Sequence, residues 1–233
     1  MNTKKIERVG IVSATTKIPL TLIGTMVGVC QGSDISDQDK NIKRAISCIL
    51  QGHYRVLEYV DVYIVMSHIS ARVAREWYTH IGGQPTRLQE STRYVDCADF
   101  NAVIPTSVAD NFDAFAKYTD CLDKIRETYK ALSELGIPRE DCAMVLPLGM
   151  TTKLSLKHNV RNLMDMSRQR MCSRAYWEYR EIFKNLIEKL SEYSDEWKAL
   201  CSLIFYPKCE AFGKCTEKNS CGRMDKNKNK NYT

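Results

Sequence analysis

The sequence lacks the features of a membrane or secreted protein. No apolar run is long enough to span a bilayer, and the opening residues Met1 to Lys5 are not followed by the apolar core of a signal sequence. The net charge is only +6 over 233 residues, and a good part of it lies in the last dozen residues. We therefore predict a cytoplasmic protein without a membrane partner, and nucleic acid is not an expected ligand of its body.

CxxC pairs are also absent, although the chain has ten cysteines. Without a signal sequence, these thiols are expected to be buried side chains or metal ligands rather than disulfides. Cys209, Cys215 and Cys221 recur at six-residue intervals in a short, charged, glycine-bearing segment. They could surround a structural zinc ion or an iron–sulfur cluster, with Cys201 or Cys172 as a fourth ligand. The alternative is a set of free thiols in an appendage packed on the body.

Length and composition favour one domain with a tail. With 44% hydrophobic residues, the chain can bury a full core. We predict a main domain over residues 1–200, a cysteine-rich appendage over 201–222 and a disordered basic tail over 223–233.

The secondary structure follows from periodicity and composition. Residues rich in Val, Ile, Leu and Thr predict strands over 8–12, 21–30 and 56–67. Helical spacing predicts helices over 36–50, 69–79 and 108–135, and a helical region over 152–190 that is broken near Met171-Cys172-Ser173. Strands early and helices late, without regular βαβ alternation, predict an α+β fold.

A candidate phosphate site lies in Glu90-Ser91-Thr92-Arg93-Tyr94, shortly after the turn at Gly82-Gly83. A hydroxyl and a guanidinium two residues apart can give a phosphate charge-assisted hydrogen bonds, and a glycine turn can add backbone N–H groups. A plain solvated loop is the alternative, because Ser and Arg are common on protein surfaces.

Several motifs together resemble the flavin-dependent thymidylate synthases. The similarity covers roughly residues 8–190, in the family's order and at nearly its spacings. The motifs are Gly52-His53 with Val56-Leu57-Glu58, Arg75-Glu76-Trp77-Tyr78-Thr79-His80, Ser91-Thr92-Arg93-Tyr94-Val95, Val145-Leu146-Pro147-Leu148, Asn159-Val160-Arg161-Asn162-Leu163, and Arg170 with Ala175-Tyr176-Trp177-Glu178-Tyr179-Arg180.

This resemblance implies a homotetramer of α+β subunits, in which a mostly antiparallel sheet packs with long helices. It also implies that the protein converts dUMP to dTMP by reductive methylation, with FAD as cofactor and methylenetetrahydrofolate and NADPH as co-substrates. In this family the reduced flavin supplies a hydride and no side chain attacks the pyrimidine. The absence of a Pro-Cys pair agrees, since classical thymidylate synthases place their nucleophile in such a pair.

The resemblance also implies site residues. Arg170 would be the catalytic cation, stabilising charge that develops on a carbonyl of the uracil ring. The dUMP-binding residues would be Glu76, Gln89, Glu90, Ser91, Arg93 and Arg170. The FAD-binding residues would be His53, Arg55, Thr79, His80, Ile81, Asn159, Arg161 and Asp165.

The chain departs from the family pattern at several places, one of which is an insertion of two residues before Ser91. The family's Arg-His-Arg motif is Thr79-His80-Ile81 here, Ala143 stands where an arginine is usual, and Gln89 replaces a glutamate. The lost cations must be offset, and the candidates are Arg87, Arg75 and the backbone N–H groups of Gly82 and Gly83.

Two other functions remain open. A flavin-dependent protein with these changes could hydroxymethylate or otherwise alkylate C5 of a pyrimidine nucleotide. Alternatively, the body could be catalytically inactive, with the cysteine segment and the lysines at 226–230 contacting nucleic acid phosphates.

Overall fold

The computed structural model describes residues 7–224 of the chain. Its strands are β1 (Val9–Ile11), β2 (Asp61–Ser70), β3 (Thr86–Gln89) and β4 (Thr151–Asn159). Its helices in the first two thirds of the chain are α1 (Pro19–Cys30), α2 (Gln38–Leu50), α3 (Ala71–Trp77), α4 (Thr106–Ala109), α5 (Phe112–Glu134) and α6 (Arg139–Cys142). The later helices are α7 (Val160–Arg170), α8 (Trp177–Tyr193), α9 (Asp195–Ile204) and α10 (Lys208–Ala211).

The strands form one antiparallel sheet in the order β1-β2-β4-β3, so strands distant in sequence are neighbours. Its long central strands alternate in burial. On β4, for example, Thr152, Leu154, Leu156 and His158 are buried. Together with the helices, this sheet confirms the predicted α+β class.

The contacts divide the chain into two compact units, neither of which is continuous in sequence. The first unit consists of residues up to Arg8, Met66–Thr79 and Arg87–Ser155. The second unit consists of Val9–Val65, His80–Thr86 and the described residues from Leu156 onwards. The predicted boundaries at residues 200 and 222 stay predictions.

The core of the first unit is built on α5. Leu122 and Tyr129 point from this helix into a cluster with Phe100, Cys142 and Met150. The side chain of Arg126, also on α5, donates from Nε and Nη2 to the carbonyl of Phe100 at 3.2 and 2.9 Å. The helix thus anchors the loop that precedes it as well as its own apolar face.

The core of the second unit depends on a close pair of helices, α1 and α2. A Cβ atom added at Gly24 of α1 would collide with the backbone of Asn41 on α2, and one added at Gly28 would meet the Arg44 side chain. Helices α8 and α9 complete this core, and Trp197 of α9 donates from Nε1 to the carbonyl of Thr16 at 2.7 Å.

The strand prediction for residues 21–30 was wrong, because this segment is helix α1. Pro19 occupies the first turn, where a proline is tolerated, and the spacing of Gly24 and Gly28 permits the close approach of α2. Helix packing therefore outweighs the strand preference of the β-branched residues.

The helix predicted from residue 152 was also wrong at its start, since residues up to Asn159 form β4. Leu154 and Leu156 alternate with polar residues at the period of a strand, and this local signal decides the structure. The break predicted near Met171-Cys172-Ser173 is confirmed, because α7 ends at Arg170 and α8 begins at Trp177.

The other predicted elements were found with shifted ends. The helix expected over 108–135 is divided into α4 and α5, because Asn111 accepts the N–H of Ala114 and caps α5. Most of the predicted disordered tail lies outside the described residues. In the part of the chain described, no helix is long and apolar enough to cross a membrane.

Candidate functional site

The first unit contains a cavity of about 410 Å³ next to the predicted phosphate site. Glu90, Ser91 and Thr92 line it, together with residues 95–101 and residues 150–153 around the start of β4. Lys153 pairs through Nζ with Oε1 of Glu90 at 3.1 Å, and Nε2 of Gln89 lies 3.5 Å from Oγ1 of Thr152. Strand β4 thus orients the carboxylate of Glu90 and the amide of Gln89.

Ser91 organises the turn that follows β3. Its Oγ accepts the N–H of Arg93 at 3.2 Å, and its carbonyl accepts the N–H of Val95 at 3.0 Å. The Arg93 side chain points to Glu140, with 2.7 Å between Nε and Oε2. Both side chains of this pair are more than half exposed, so the pair contributes little to stability. Arg93 can therefore exchange Glu140 for another anion at small cost.

Glu76 and Thr79 lie at the end of α3, also in the first unit. Oγ1 of Thr79 donates to the carbonyl of Glu76 at 2.7 Å. Nη1 of Arg87 donates to the carbonyls of Trp77 and Tyr78 at 3.3 and 2.8 Å. These are carbonyls that a helix end leaves without helical partners, so Arg87 caps α3. This contact limits its use as a replacement for the missing arginines.

In the second unit, three side chains form a connected group at the end of α7. Nε of Arg170 donates to Nε2 of His80 at 2.9 Å. The guanidinium carbon of Arg170 lies 4.7 Å from the centre of the Tyr179 ring, which is fully buried. Arginine can only donate, so Nε2 of His80 is an acceptor and any proton of the neutral ring is on Nδ1. The guanidinium of Arg170 is thus held by the face of the Tyr179 ring and by a hydrogen bond to Nε2 of His80.

The Gly82-Gly83 turn packs against the start of α7. Oδ1 of Asn159 accepts the N–H of Asn162 at 2.8 Å and caps α7, while its Nδ2 donates to the carbonyl of Gly83 at 3.4 Å. Gly83 has φ of +70°, and a Cβ there would collide with the Asn159 amide. Both the backbone conformation and the close contact therefore require glycine at this position.

Helix α7 also presents two arginines to the ring of Tyr54, in the short 3-10 helix Tyr54–Tyr59. The guanidinium carbons of Arg161 and Arg168 lie 5.5 and 5.3 Å from the centre of this ring. Nε of Arg161 also pairs with Oδ2 of Asp165 at 3.1 Å. Burial, followed by a hydrogen bond with Tyr54, raises the pKa of the Tyr206 hydroxyl at the same place.

The predicted flavin residues fall mainly in the second unit, where they lie on three segments. His53 and Arg55 flank Tyr54 and are exposed, and Ile81 is 73% exposed. Thr79 belongs to the first unit, as do all predicted nucleotide residues except Arg170. Within the second unit, α7 carries Arg161 and Asp165 next to Tyr54 at its start and Arg170 at its end.

The cysteine segment borders a second cavity, of about 240 Å³, in the second unit. Cys209, Cys215 and Cys221 line this cavity, and Cys172 lines it as well. Cys201 is instead buried in α9, where burial raises the pKa of its thiol to about 12. Within residues 7–224 no three His, Cys, Asp or Glu side chains are already gathered as a metal-binding group.

Sequence reasoning missed two aromatic residues of the candidate site. In the sequence, Tyr179 is only one member of a family motif, yet its buried ring supports Arg170. Tyr54 received no role, although it stands between His53 and Arg55 in the sequence. The position of Tyr54 between the candidate flavin-binding residues His53 and Arg55 could have indicated its role. Tyr179 gives no such signal, because it reaches Arg170 only through the packing of α8 on α7.

Comparison with known proteins identifies the family. The family model for the thymidylate synthase complementing protein matches residues 11–194. A flavin-dependent thymidylate synthase from Pyrococcus furiosus is 26% identical over 188 residues, which cover 79% of this chain and 75% of the relative. The protein of the same name from Nitratidesulfovibrio vulgaris is 28% identical over 189 residues, covering 76% and 75%.

A third relative, from Geobacter sulfurreducens, is 30% identical over 133 residues and 56% of each chain. The matched region covers parts of both units, from the last residue of β1 to the end of α8, and ends before the cysteine segment. The chain therefore belongs to the thymidylate synthase complementing protein family, and the relatives it resembles are flavin-dependent thymidylate synthases.

Proposed function

We propose that this protein converts dUMP to dTMP by reductive methylation, with FAD as cofactor and methylenetetrahydrofolate and NADPH as co-substrates. The observation that carries this proposal is the fixed guanidinium of Arg170, held by His80 and Tyr179 in a chain of this family. A bound flavin supplies hydride chemistry that protein side chains cannot provide. The protein itself orients the ligands, provides charged side chains and excludes water from the site.

Arg170 is the proposed catalytic cation. Conjugate addition of a hydride to the pyrimidine ring moves electron density onto a ring carbonyl oxygen, and a preorganised cation stabilises this charge. Nε is already bonded to His80, so the rotation of the guanidinium is restricted before the substrate binds. Less reorganisation is then needed when the charge develops.

We assign the phosphate and sugar of dUMP to Ser91 and Arg93, with Glu76, Gln89 and Glu90 as further contacts. The support is local. Arg93 pairs with Glu140, whose side chain is exposed, and a dianionic phosphate is the stronger partner for a guanidinium. The Ser91 turn holds the Arg93 backbone in place for this exchange.

The flavin residues proposed in the second unit have a chemistry that suits an anionic dinucleotide. Arg55 is exposed beside Tyr54, and Arg161 is about one third exposed over the same ring, so two cations are available for a pyrophosphate. His53, Thr79, His80, Ile81, Asn159 and Asp165 complete the proposed set. The backbone at Gly82 and Gly83 is the proposed compensation for the arginines missing from Thr79-His80-Ile81.

The direct test is the absorption spectrum of the purified protein with and without dUMP. A bound flavin should make the protein yellow, and dUMP should perturb the flavin bands if both ligands share a site. Product analysis by mass should then show addition of one methyl group. A colourless protein that acquires no flavin on reconstitution would contradict the proposal.

The second candidate is C5 hydroxymethylation of a pyrimidine nucleotide. It is favoured by the loss of both arginines around His80 and by Ala143 in place of a third, because fewer cations face the reacting ligands. The mass of the product separates the two reactions, since a hydroxymethyl group is heavier than a methyl group by one oxygen atom.

We also propose that the protein works as a homotetramer, as the family resemblance implies. Sedimentation at several protein concentrations tests this state directly. A stable monomer with full turnover would contradict it.

A further inference from the structure

Four of the ten cysteines border the same cavity, although they come from two distant parts of the sequence. Cys172 follows the end of α7, whereas Cys209, Cys215 and Cys221 belong to the segment that includes α10. Helix α10 packs against α7, and Oγ of Ser167 on α7 lies 3.4 Å from the carbonyl of Tyr206. The fold therefore brings the four thiols to a shared space of about 240 Å³.

We propose that Cys172, Cys209, Cys215 and Cys221 together bind one zinc ion as a tetrathiolate site. Four thiolates in a tetrahedral arrangement are a standard ligand set for structural zinc. The matched family region ends at residue 194, so three of the four ligands belong to a segment outside it. The site is independent of the proposed enzymatic reaction.

The charge of the cavity wall suits such a site. Zinc bound by four thiolates has a net charge of −2, which is costly beside an apolar or acidic wall. The charged residues of the wall are Arg168, Arg174 and Lys208 against a single Glu217, and three positive charges minus one negative give +2. A wall of this composition compensates the charge of the metal site.

The structure also selects the fourth ligand. Both Cys172 and Cys201 were candidates from the sequence, but Cys201 faces the core of the second unit from α9 and is only 4% exposed. Cys172 lies in the cavity wall with the other three thiols. Cys172 is two residues after Arg170, so the metal would connect the last segment of the chain to the end of α7.

The thiols do not yet form a compact group. Among the described residues, no three His, Cys, Asp or Glu side chains are close enough together to coordinate one metal ion. Zinc binding must therefore draw the 208–224 segment inward, and such coupling of binding to local folding is common for structural zinc. An ion pair of 3.6 Å between Arg223 and Glu210 already closes this segment on itself.

The test uses the full chain, produced with added zinc and dialysed against a chelator of moderate strength. The wild type should retain close to one zinc per chain, measured by elemental analysis. Zinc should also protect four of the ten thiols from alkylation, and peptide mapping should identify them as Cys172, Cys209, Cys215 and Cys221. Protection mapping needs no variant, so it stands even if a cysteine variant folds poorly.

Three variants separate the possible ligand sets. Cys172→Ser should lose zinc under dialysis conditions in which Cys201→Ala and Cys121→Ser keep it. Cys121 is an exposed residue of α5 and provides a surface control. A zinc-free wild type after reconstitution, an iron–sulfur spectrum, or retention of zinc by Cys172→Ser would each overturn the proposal. So would loss of zinc from a folded Cys201→Ala variant.

Discussion

Arg170 should affect turnover much more than flavin binding. Its guanidinium is held by His80 and Tyr179, and removing a preorganised cation from a developing charge costs about 2–4 kcal/mol of transition-state stabilisation. Arg170→Ala should therefore lower kcat by roughly 30- to 1,000-fold, with the flavin content unchanged. Lys184→Ala, at an exposed position of α8, is the control. Normal turnover in Arg170→Ala would remove this residue from the site.

Arg93 and Glu140 should have opposite effects on nucleotide binding. Losing a charged hydrogen bond costs about 1.5–3 kcal/mol, so Arg93→Ala should weaken dUMP binding by roughly 10- to 100-fold. Glu140→Gln frees Arg93 from its ion pair and should leave dUMP binding equal or slightly tighter. Titration calorimetry with dUMP and deoxyuridine measures both effects. If Arg93→Ala weakens the two ligands equally, Arg93 does not bind the phosphate.

The sequence indicated Arg170 and Ser91 through family motifs, but it could not show what holds these side chains. The Arg170 support comes from His80, ninety positions away, and from a buried ring on another helix. Arg87 shows the same limit, because the sequence offered it as a replacement cation but could not show that its side chain also caps α3. Residue type can suggest chemistry, whereas partners separated by long stretches of sequence depend on the fold.

At the scale of single elements, the turn before β3 and the start of α7 should be energetically linked. Gly83→Ala forces a left-handed residue, at a cost of about 1–2 kcal/mol, and displaces the Asn159 cap, at about 1 kcal/mol more. Gly32→Ala is the matched control, because Gly32 has φ of +60° and no neighbour near its added Cβ. Chemical denaturation should show that Gly83→Ala lowers the free energy of unfolding more than Gly32→Ala does. If both variants lower the free energy of unfolding equally, the contact between this turn and the start of α7 does not contribute to stability.

The start of α2 should give a pH-dependent contribution to stability. The N–H of Lys40 donates to the Asp37 side chain, and this bond is the main cause that lowers the pKa of Asp37. A carboxylate with a lowered folded-state pKa stabilises the protein above its unfolded pKa of about 3.9, and the contribution disappears as pH falls through the lower folded value. Thermal melts of wild type and Asp37→Asn should therefore converge below about pH 4. A constant difference down to low pH would exclude this cap as the cause.

Elements with strong periodicity were the easiest to predict. Helix α5 has apolar residues at intervals of three and four, and it was found with its C-terminal end nearly as predicted. Helix α1 was mistaken for a strand because residues 21–30 are rich in Val, Ile, Leu and Thr, whereas Gly24 and Gly28 provide the contact surface for α2. Strand β4 was mistaken for a helix because it joins α7 without a turn residue between Asn159 and Val160. Where tertiary packing decides the type or the ends of an element, the local amino-acid composition does not predict them.

At the scale of the whole molecule, the cysteine segment should contribute to stability and not to the reaction. Truncation after Pro207 removes three of the four proposed zinc ligands, but it leaves every residue assigned to nucleotide or flavin. We expect a lower Tm and loss of the stabilisation that added zinc gives to the full chain. Turnover at low temperature should remain measurable. A truncated protein that binds flavin but has no turnover would show that the segment reaches the active site.

The interleaving of the two units limits how this protein can be divided. Strand β2 passes from the second unit to the first at residues 65–66, and strand β4 passes back at residues 155–156. Neither unit can be obtained as one continuous fragment, and the boundaries at residues 65–66 and 155–156 fall within strands. Expression of isolated halves is therefore expected to yield unfolded chains, and unfolding of the enzyme should be one cooperative event rather than two.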